Sequence, residues 1–196
     1  MKNITTSKIA KVAVLGAAAF VVMLAEFPLP FFPPFYKLDL SEAVVLIGGF
    51  ALGPISAAAI EALKIILNVL FTGTMTAYVG EFANFLIGLS FVLPAVIYYH
   101  RHKTRQNAIR GLVIGSVCLI VVGALLNGLV LLPAYSYFYH MPMDALIGMG
   151  SELIPLIHDR LTFVLFATAP FNLIKAVVTS IITIALYKRI SPILHR

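Results

Sequence analysis

The feature that most constrains this chain is a succession of long apolar runs with charge gathered at their ends. The runs cover residues 9–27, 40–52, 55–71, 81–99, 111–133 and 163–187. All but the second approach or reach the length of about 20 residues with which a helix crosses a hydrocarbon core. Only 11% of the residues are charged and 61% are hydrophobic, against about 25% charged in an average soluble domain. Mean hydropathy is +1.00. These proportions exclude a disordered chain, an ordinary soluble enzyme and a nucleic-acid-binding domain. The single Cys118 lies in an apolar run, which excludes a disulfide framework or a multi-cysteine metal site. The expected fold is an all-α integral membrane protein, residues 1–196 forming one domain of six transmembrane helices in one bundle. The second helix is expected to be short or broken, because Gly53-Pro54 stops it and restarts the chain as a helix at once. The first run resembles a signal peptide, but its apolar stretch continues to Ala25, past any cleavage site near Ala17–Ala19, so it reads as a span.

Charge asymmetry predicts the orientation. Ten of the fourteen basic residues fall in three clusters: Lys2, Lys8 and Lys11; Arg101, Lys103, Arg105 and Arg110; and Lys188, Arg189 and Arg196. The positive-inside rule puts both termini and the loop at residues 100–110 in the cytoplasm of a multi-pass cell-membrane protein. The net charge of +6 is thus a topology signal rather than a sign of nucleic acid. His100 and His102 read as solvated residues of that turn.

Ionisable groups inside a span cost about 2.5–3.5 kcal/mol each on insertion scales, so each calls for a partner or a cavity. Glu61 and Lys64 lie three apart on one helix face and read first as an internal ion pair, with Asn68 a turn further on. Glu81 and Asn84 open the fourth span; Glu81 suits the positive end of the helix dipole. Asn127 sits between Gly123 and Gly128, where small neighbours leave room beside its amide. Asn172 and Lys175 share a face with Thr179. Lys175 has no acid on its own helix, so it must meet a carboxylate from elsewhere or a ligand. Asn68, Glu81, Asn84, Asn127, Asn172 and Lys175 all fall in the outer halves of their spans, as the lining of an outward-facing cavity would.

Between the first two spans, Pro28, Pro30, Pro33 and Pro34 forbid a helix and favour a stiff extended segment rich in aromatics. Residues 28–39 read as an outer gating loop that delivers Asp39, Ser41 and Glu42 to the cavity mouth. Asp39 or Ser41 equally suits the N-cap of the second helix. In the first helix Ala10, Ala13 and Ala17 form a small-residue face suited either to packing in the same bundle or to docking another membrane subunit. Metalloprotease, Walker and nucleophile-elbow motifs are absent. The chain reads as able to bind a solute but not to drive its movement alone.

Several segments resemble the substrate-binding S components of energy-coupling factor (ECF) vitamin transporters, above all the riboflavin-specific members. They are the alanine-rich first helix, FPLPFFPPFYKLDLSE at residues 27–42, GGFALGP at 48–54, LLNGLVLLPAY at 125–135 and PFNLIKA at 170–176. The resemblance implies a six-helix bundle that captures vitamin outside the cell and works with a membrane coupling subunit and two cytoplasmic ABC-type ATPases. It implies that Asn127, Asn172 and Lys175 contact the flavin, that Leu38, Asp39, Leu40, Ser41 and Glu42 line the pocket from the loop, and that Ala10, Ala13 and Ala17 meet the coupling subunit. Riboflavin would be bound as transported substrate, with no cofactor or metal, and ATP hydrolysis would belong to the partners. Its flat ring suits apolar and aromatic walls, and its uracil-like edge matches the adjacent donor and acceptor of an Asn amide. The alternatives are an S component for another vitamin or a nucleobase-like precursor, a membrane-embedded enzyme using Glu61 or Glu81, and a purely structural subunit.

Overall fold

The computed structural model describes residues 5–74 and 76–194. Lys2 and Arg196, counted in two basic clusters, lie outside the described residues.

Gly53 and Pro54 set how the centre of the bundle is built. Gly53 has φ +102°, a backbone region open to glycine and strained for other residues. It ends helix α2 (Ser41–Leu52), and Pro54 opens α3 (Pro54–Thr72) in the first-turn position where a missing N–H costs nothing. With 12 residues, α2 rises about 18 Å, short of the hydrocarbon core. Its place explains the sequence: nine of its residues are buried, from Ser41 to Phe50, among α1 (Thr6–Met23), α3, α4 (Val79–Arg101) and α7 (residues 160–194). A helix covered on every side is apolar on every side. The expected second span is therefore a short core helix.

Among the described residues, five helices are long and apolar enough to cross a membrane: α1 (Thr6–Met23), α3, α4 (Val79–Arg101), α5 (Arg105–Phe138) and Arg160–Ile190 within α7. Val14, Ile55, Leu70 and Phe71 are each more than two-thirds exposed on their outer faces, as suits a bundle facing lipid rather than water. The helix α5 runs beyond the expected 111–133 at both ends, because the basic residues of its first turn stay helical while their charged heads remain exposed. Residues 136–160, for which the sequence offers no reading, contain a short helix, α6 (Met143–Ser151). Asp159 then caps the start of α7 by accepting the Thr162 amide at 2.7 Å. That bond holds the Asp159 carboxyl below its usual range. His100 corrects the sequence reading: it is half-buried, and its Nε2 lies 3.1 Å from the Gly49 carbonyl at the end of α2.

The two helices that carry the asparagines share a local device. In α5 the backbone widens into a π turn at Asn127–Leu131, where the Leu132 amide reaches back five residues to Asn127. In α7 the pieces Arg160–Phe163 and Ala169–Leu194 are joined by a π turn at Val164–Thr168, where Ala169 reaches back to Val164. A proline stands two residues past the end of each turn, Pro133 and Pro170. Proline donates no hydrogen bond and crowds the carbonyl four residues back; the wider turn relieves that crowding, and such turns recur at functional sites.

Gly111 and Gly115 bring α5 against α4. A Cβ built on Gly111 would stand 2.5 Å from the Ala95 carbonyl oxygen, and one on Gly115 would meet the Phe91 carbonyl. This Gly-x-x-x-Gly pair lets two backbones touch in lipid, where packing rather than water exclusion drives association. Gly115→Leu is expected to destabilise the protein by about 1–3 kcal/mol, read as a lowered unfolding midpoint in detergent.

Candidate functional site

Four charges buried in the apolar interior define the site. Glu42, in the first turn of α2, accepts a hydrogen bond from Lys175 Nζ at 2.9 Å. The same Glu42 oxygen lies 3.6 Å from Lys64 Nζ, which stands 2.8 Å from Glu61 on its own helix. All four side chains are nine-tenths or more buried. The Glu61–Lys64 pair expected from their spacing is present, and Lys175 finds the carboxylate that its own helix lacks. The Lys64 contact falls off hydrogen-bonding angles, so it is an ion contact rather than an aligned bond. Gly88 of α4 makes room for Glu61: a Cβ there would strike the carboxylate.

The outer loop delivers Glu42. Asp39 accepts the Ser41 amide at 2.8 Å and its hydroxyl at 2.7 Å, fixing the start of α2 from one residue outside the cap position. Burial, with the charge of Glu42 added, holds the Asp39 carboxyl above its usual range. The loop is itself anchored by a short antiparallel ladder, β1 (Phe27–Pro28) with β2 (Lys37–Leu38), and by Lys37 donating to Glu26 at 2.7 Å. The backbone is extended only at the loop's two ends. Between them Pro30, Pro33 and Pro34 lie in turns, closed by Phe32 N–H to the Leu29 carbonyl and Tyr36 N–H to the Pro33 carbonyl, so the stiff segment folds back rather than running extended.

Tyr36 turns inward from this loop. Its ring lies nearly parallel to Phe171, centroids 5.0 Å apart, and Phe32 meets Phe171 edge-on at 5.5 Å. The Tyr36 hydroxyl donates to Asn127 Oδ1 at 3.2 Å and lies 2.5 Å from the Thr168 hydroxyl. Asn127 in turn donates to the Gly123 carbonyl at 2.8 Å. Gly123 also seats Asn172: a Cβ there would collide with its amide. Asn172 Nδ2 is buried and has no hydrogen-bond acceptor among the described residues. Asn127, Asn172, Lys175, Asp39, Ser41 and Glu42 thus form one connected region, roofed by Phe32, Tyr36 and the buried Leu38.

Other expected site residues stand apart. Asn68 is half-buried and accepts from Thr72 on its own helix at 3.2 Å. Glu81 accepts from Thr74 at 3.0 Å and Thr76 at 3.4 Å, bracing the turn before α4. Asn84 is half-buried a turn below it. Leu40 faces an apolar groove of about 230 Å³ between α1, α2 and α7. Ala10, Ala13 and Ala17 are exposed, whereas Leu15, Gly16 and Ala19 face inward. Sequence reading missed Thr168 and the inward turn of Tyr36. Thr168 precedes Asn172 by four residues, so the face that carries Asn172 and Lys175 would have flagged it.

Apolar helices closed around spare hydrogen-bond donors, under an aromatic roof, define a membrane-embedded protein suited to holding a solute. The family described as ECF transporter, substrate-specific component, matches residues 7–187. The chain is 36% identical over 185 residues to the riboflavin transporter RibU of Staphylococcus aureus, covering 94% of this chain and 90% of that protein. It is 30% identical over 186 residues to the riboflavin transporter FmnP of Bacillus subtilis, covering 94% and 92%. A solved S component of a bacterial ECF transporter superposes with a TM-score of 0.73 at 34% identity, covering 96% of this chain and 98% of that one. This chain belongs to the family of ECF transporter substrate-specific components. The family supplies a transporter's substrate-specific component and not an enzyme.

Removing one partner of a buried ion pair strands the other charge, at a cost of about 3–5 kcal/mol. Glu42→Leu and Lys175→Met are each expected to destabilise the ligand-free protein by that amount. The double variant should lose less than the sum, because Lys64 and Glu61 then remain as a balanced pair; unfolding midpoints of the three proteins check this.

Proposed function

We propose that this chain is the riboflavin-binding subunit of an ATP-driven ECF importer, capturing the vitamin from outside and delivering it through a membrane coupling subunit. The observation that carries this reading is the convergence of Asn127, Asn172 and Lys175 beneath the aromatic loop, in a chain whose relatives are riboflavin transporters. Asn172 offers an uncommitted amide donor. Lys175 spends one of its three N–H donors on Glu42, leaving the others for carbonyl or hydroxyl oxygens of the ligand. Phe171 offers a ring face on which Tyr36 already stacks, which suits a flat aromatic solute. Leu38, Asp39, Ser41 and Glu42 form the loop side of the pocket, and Leu40 stays outside it. Asp39 and Glu42 act there chiefly by fixing Ser41 and Lys175.

In this reading residues 1–196 form one membrane domain of six helices, five of them long spans and α2 the short sixth, with residues 28–39 as the gate. Both termini lie in the cytoplasm, a placement that the basic clusters favour. Two ABC-type ATPases power release through the coupling subunit. The outward exposure of Ala10, Ala13 and Ala17 supports their use as its docking face, since close approach in lipid requires small side chains.

Riboflavin fluorescence quenching on the purified protein tests the assignment; protein that neither carries flavin nor quenches added riboflavin would overturn it. Alanine at Asn127, Asn172 or Lys175 should weaken binding by about tenfold or more. Asn68→Ala and Asn84→Ala, outside the connected region, should change it less than about tenfold. Enlarging Ala13 and Ala17 to Trp should abolish assembly with the coupling subunit, read by co-purification, while riboflavin quenching persists.

A further inference from the structure

We propose that the basic end of the bundle holds a second ligand site, for the phosphate headgroup of an anionic phospholipid. A cavity of about 620 Å³ opens there among α2, α4, α5 and α7, and its lining shares no residue with the region around Glu42. Its floor is aromatic: Phe50 lies 4.8 Å from the Tyr99 ring and 5.6 Å from the Tyr187 ring. The two tyrosine hydroxyls are 3.1 Å apart. One donates to the other, so one hydroxyl proton is left for an acceptor that enters the cavity.

Lys103, Arg105 and Lys188 stand around the rim, and no carboxylate lines the cavity. Among the described residues none of the three forms an ion pair. The positive-inside rule accounts for basic residues at this end of the helices. It does not account for a hollow of this size between them, nor for a hydroxyl pair at its floor. Three converging cations and a spare hydroxyl donor match the non-bridging oxygens of a phosphate. Ile109 and Ile184, 42% and 36% exposed, line the same cavity and give acyl chains an apolar way out toward the bilayer. That apolar flank favours a lipid over a soluble phosphate compound, as in basic pockets between membrane helices generally. The proposal stands independently of which solute the Asn127–Lys175 region takes.

Native mass spectrometry of the full chain in detergent micelles tests it, with phosphatidylglycerol, phosphatidylcholine or glycerol phosphate added. Phosphatidylglycerol should be retained and phosphatidylcholine should not. The triple substitution K103Q/R105Q/K188Q should weaken that retention about a hundredfold. Ala108→Phe, which fills the cavity without altering charge, should weaken it as well. Unchanged unfolding midpoints establish that both variants are folded. Equal retention of the two lipids, or undiminished phosphatidylglycerol binding by the folded triple variant, overturns the site. Glycerol phosphate binding as tightly as phosphatidylglycerol overturns the lipid as its occupant.

Discussion

The ion contact between Glu42 and Lys175 is the interaction on which the rest of this architecture depends. An ammonium and a carboxylate shielded from water tolerate little displacement, because each loses its principal compensation when the other moves away. Glu42 meets Lys175 from α7 and Lys64 from α3 with one oxygen. The consecutive helices α2 and α3 and the distant α7 are therefore held in one arrangement by a single carboxylate. Hydrophobic packing alone would not do this, since Leu slides past Leu in lipid at small cost. The charges make the bundle specific, and they put the specificity beside the polar region rather than at the lipid-facing surface.

Over that region the aromatic loop behaves as a side chain of the bundle as much as a connection. Phe32 and Tyr36 are buried against Phe163 and Phe171, and the Tyr36 hydroxyl joins Asn127 of α5 to Thr168 of α7. The contacts that close the site are thus made with atoms that a ligand also wants. A solute that stacks on Phe171 and bonds to Asn127 competes with Tyr36 for both partners. Under the proposed function, opening and binding are parts of one exchange, with the loop surrendering interactions of the same kind that the solute supplies.

Much of this was legible in the chain. The apolar runs located the long helices, Gly53-Pro54 marked the break, and the lone cation at Lys175 demanded a distant acid. Periodicity reports what one helix shows to its surroundings; it carries no information on which residues meet across helices. So it could not name Glu42 as the partner of Lys175, nor bring Tyr36 to Asn127, contacts separated by 133 and 91 residues. Nor does shared depth reveal local bonds: Asn68 accepts from Thr72, and Glu81 from Thr74 and Thr76, within their own helix or turn. His100 was misread for a related reason, since its acceptor is a backbone carbonyl, which every residue carries and no sequence pattern reveals.

The wide turns at Asn127–Leu131 and Val164–Thr168 have a geometric consequence for the whole bundle. Each inserts one residue beyond ordinary helical pitch, which rotates everything after it by about 100°. Along α5 the buried positions step by four from Gly111 through Gly115, Leu119 and Gly123 to Asn127, and past the turn Leu131 and Leu132 are both buried, Leu132 completely. The two helices are therefore out of phase with themselves. One stretch is phased for packing against neighbouring helices, the other for receiving the loop, and the polar residues stand at the seam between them. A single residue removed at either seam would bring the two stretches back into one phase and turn the loop-facing surface toward lipid.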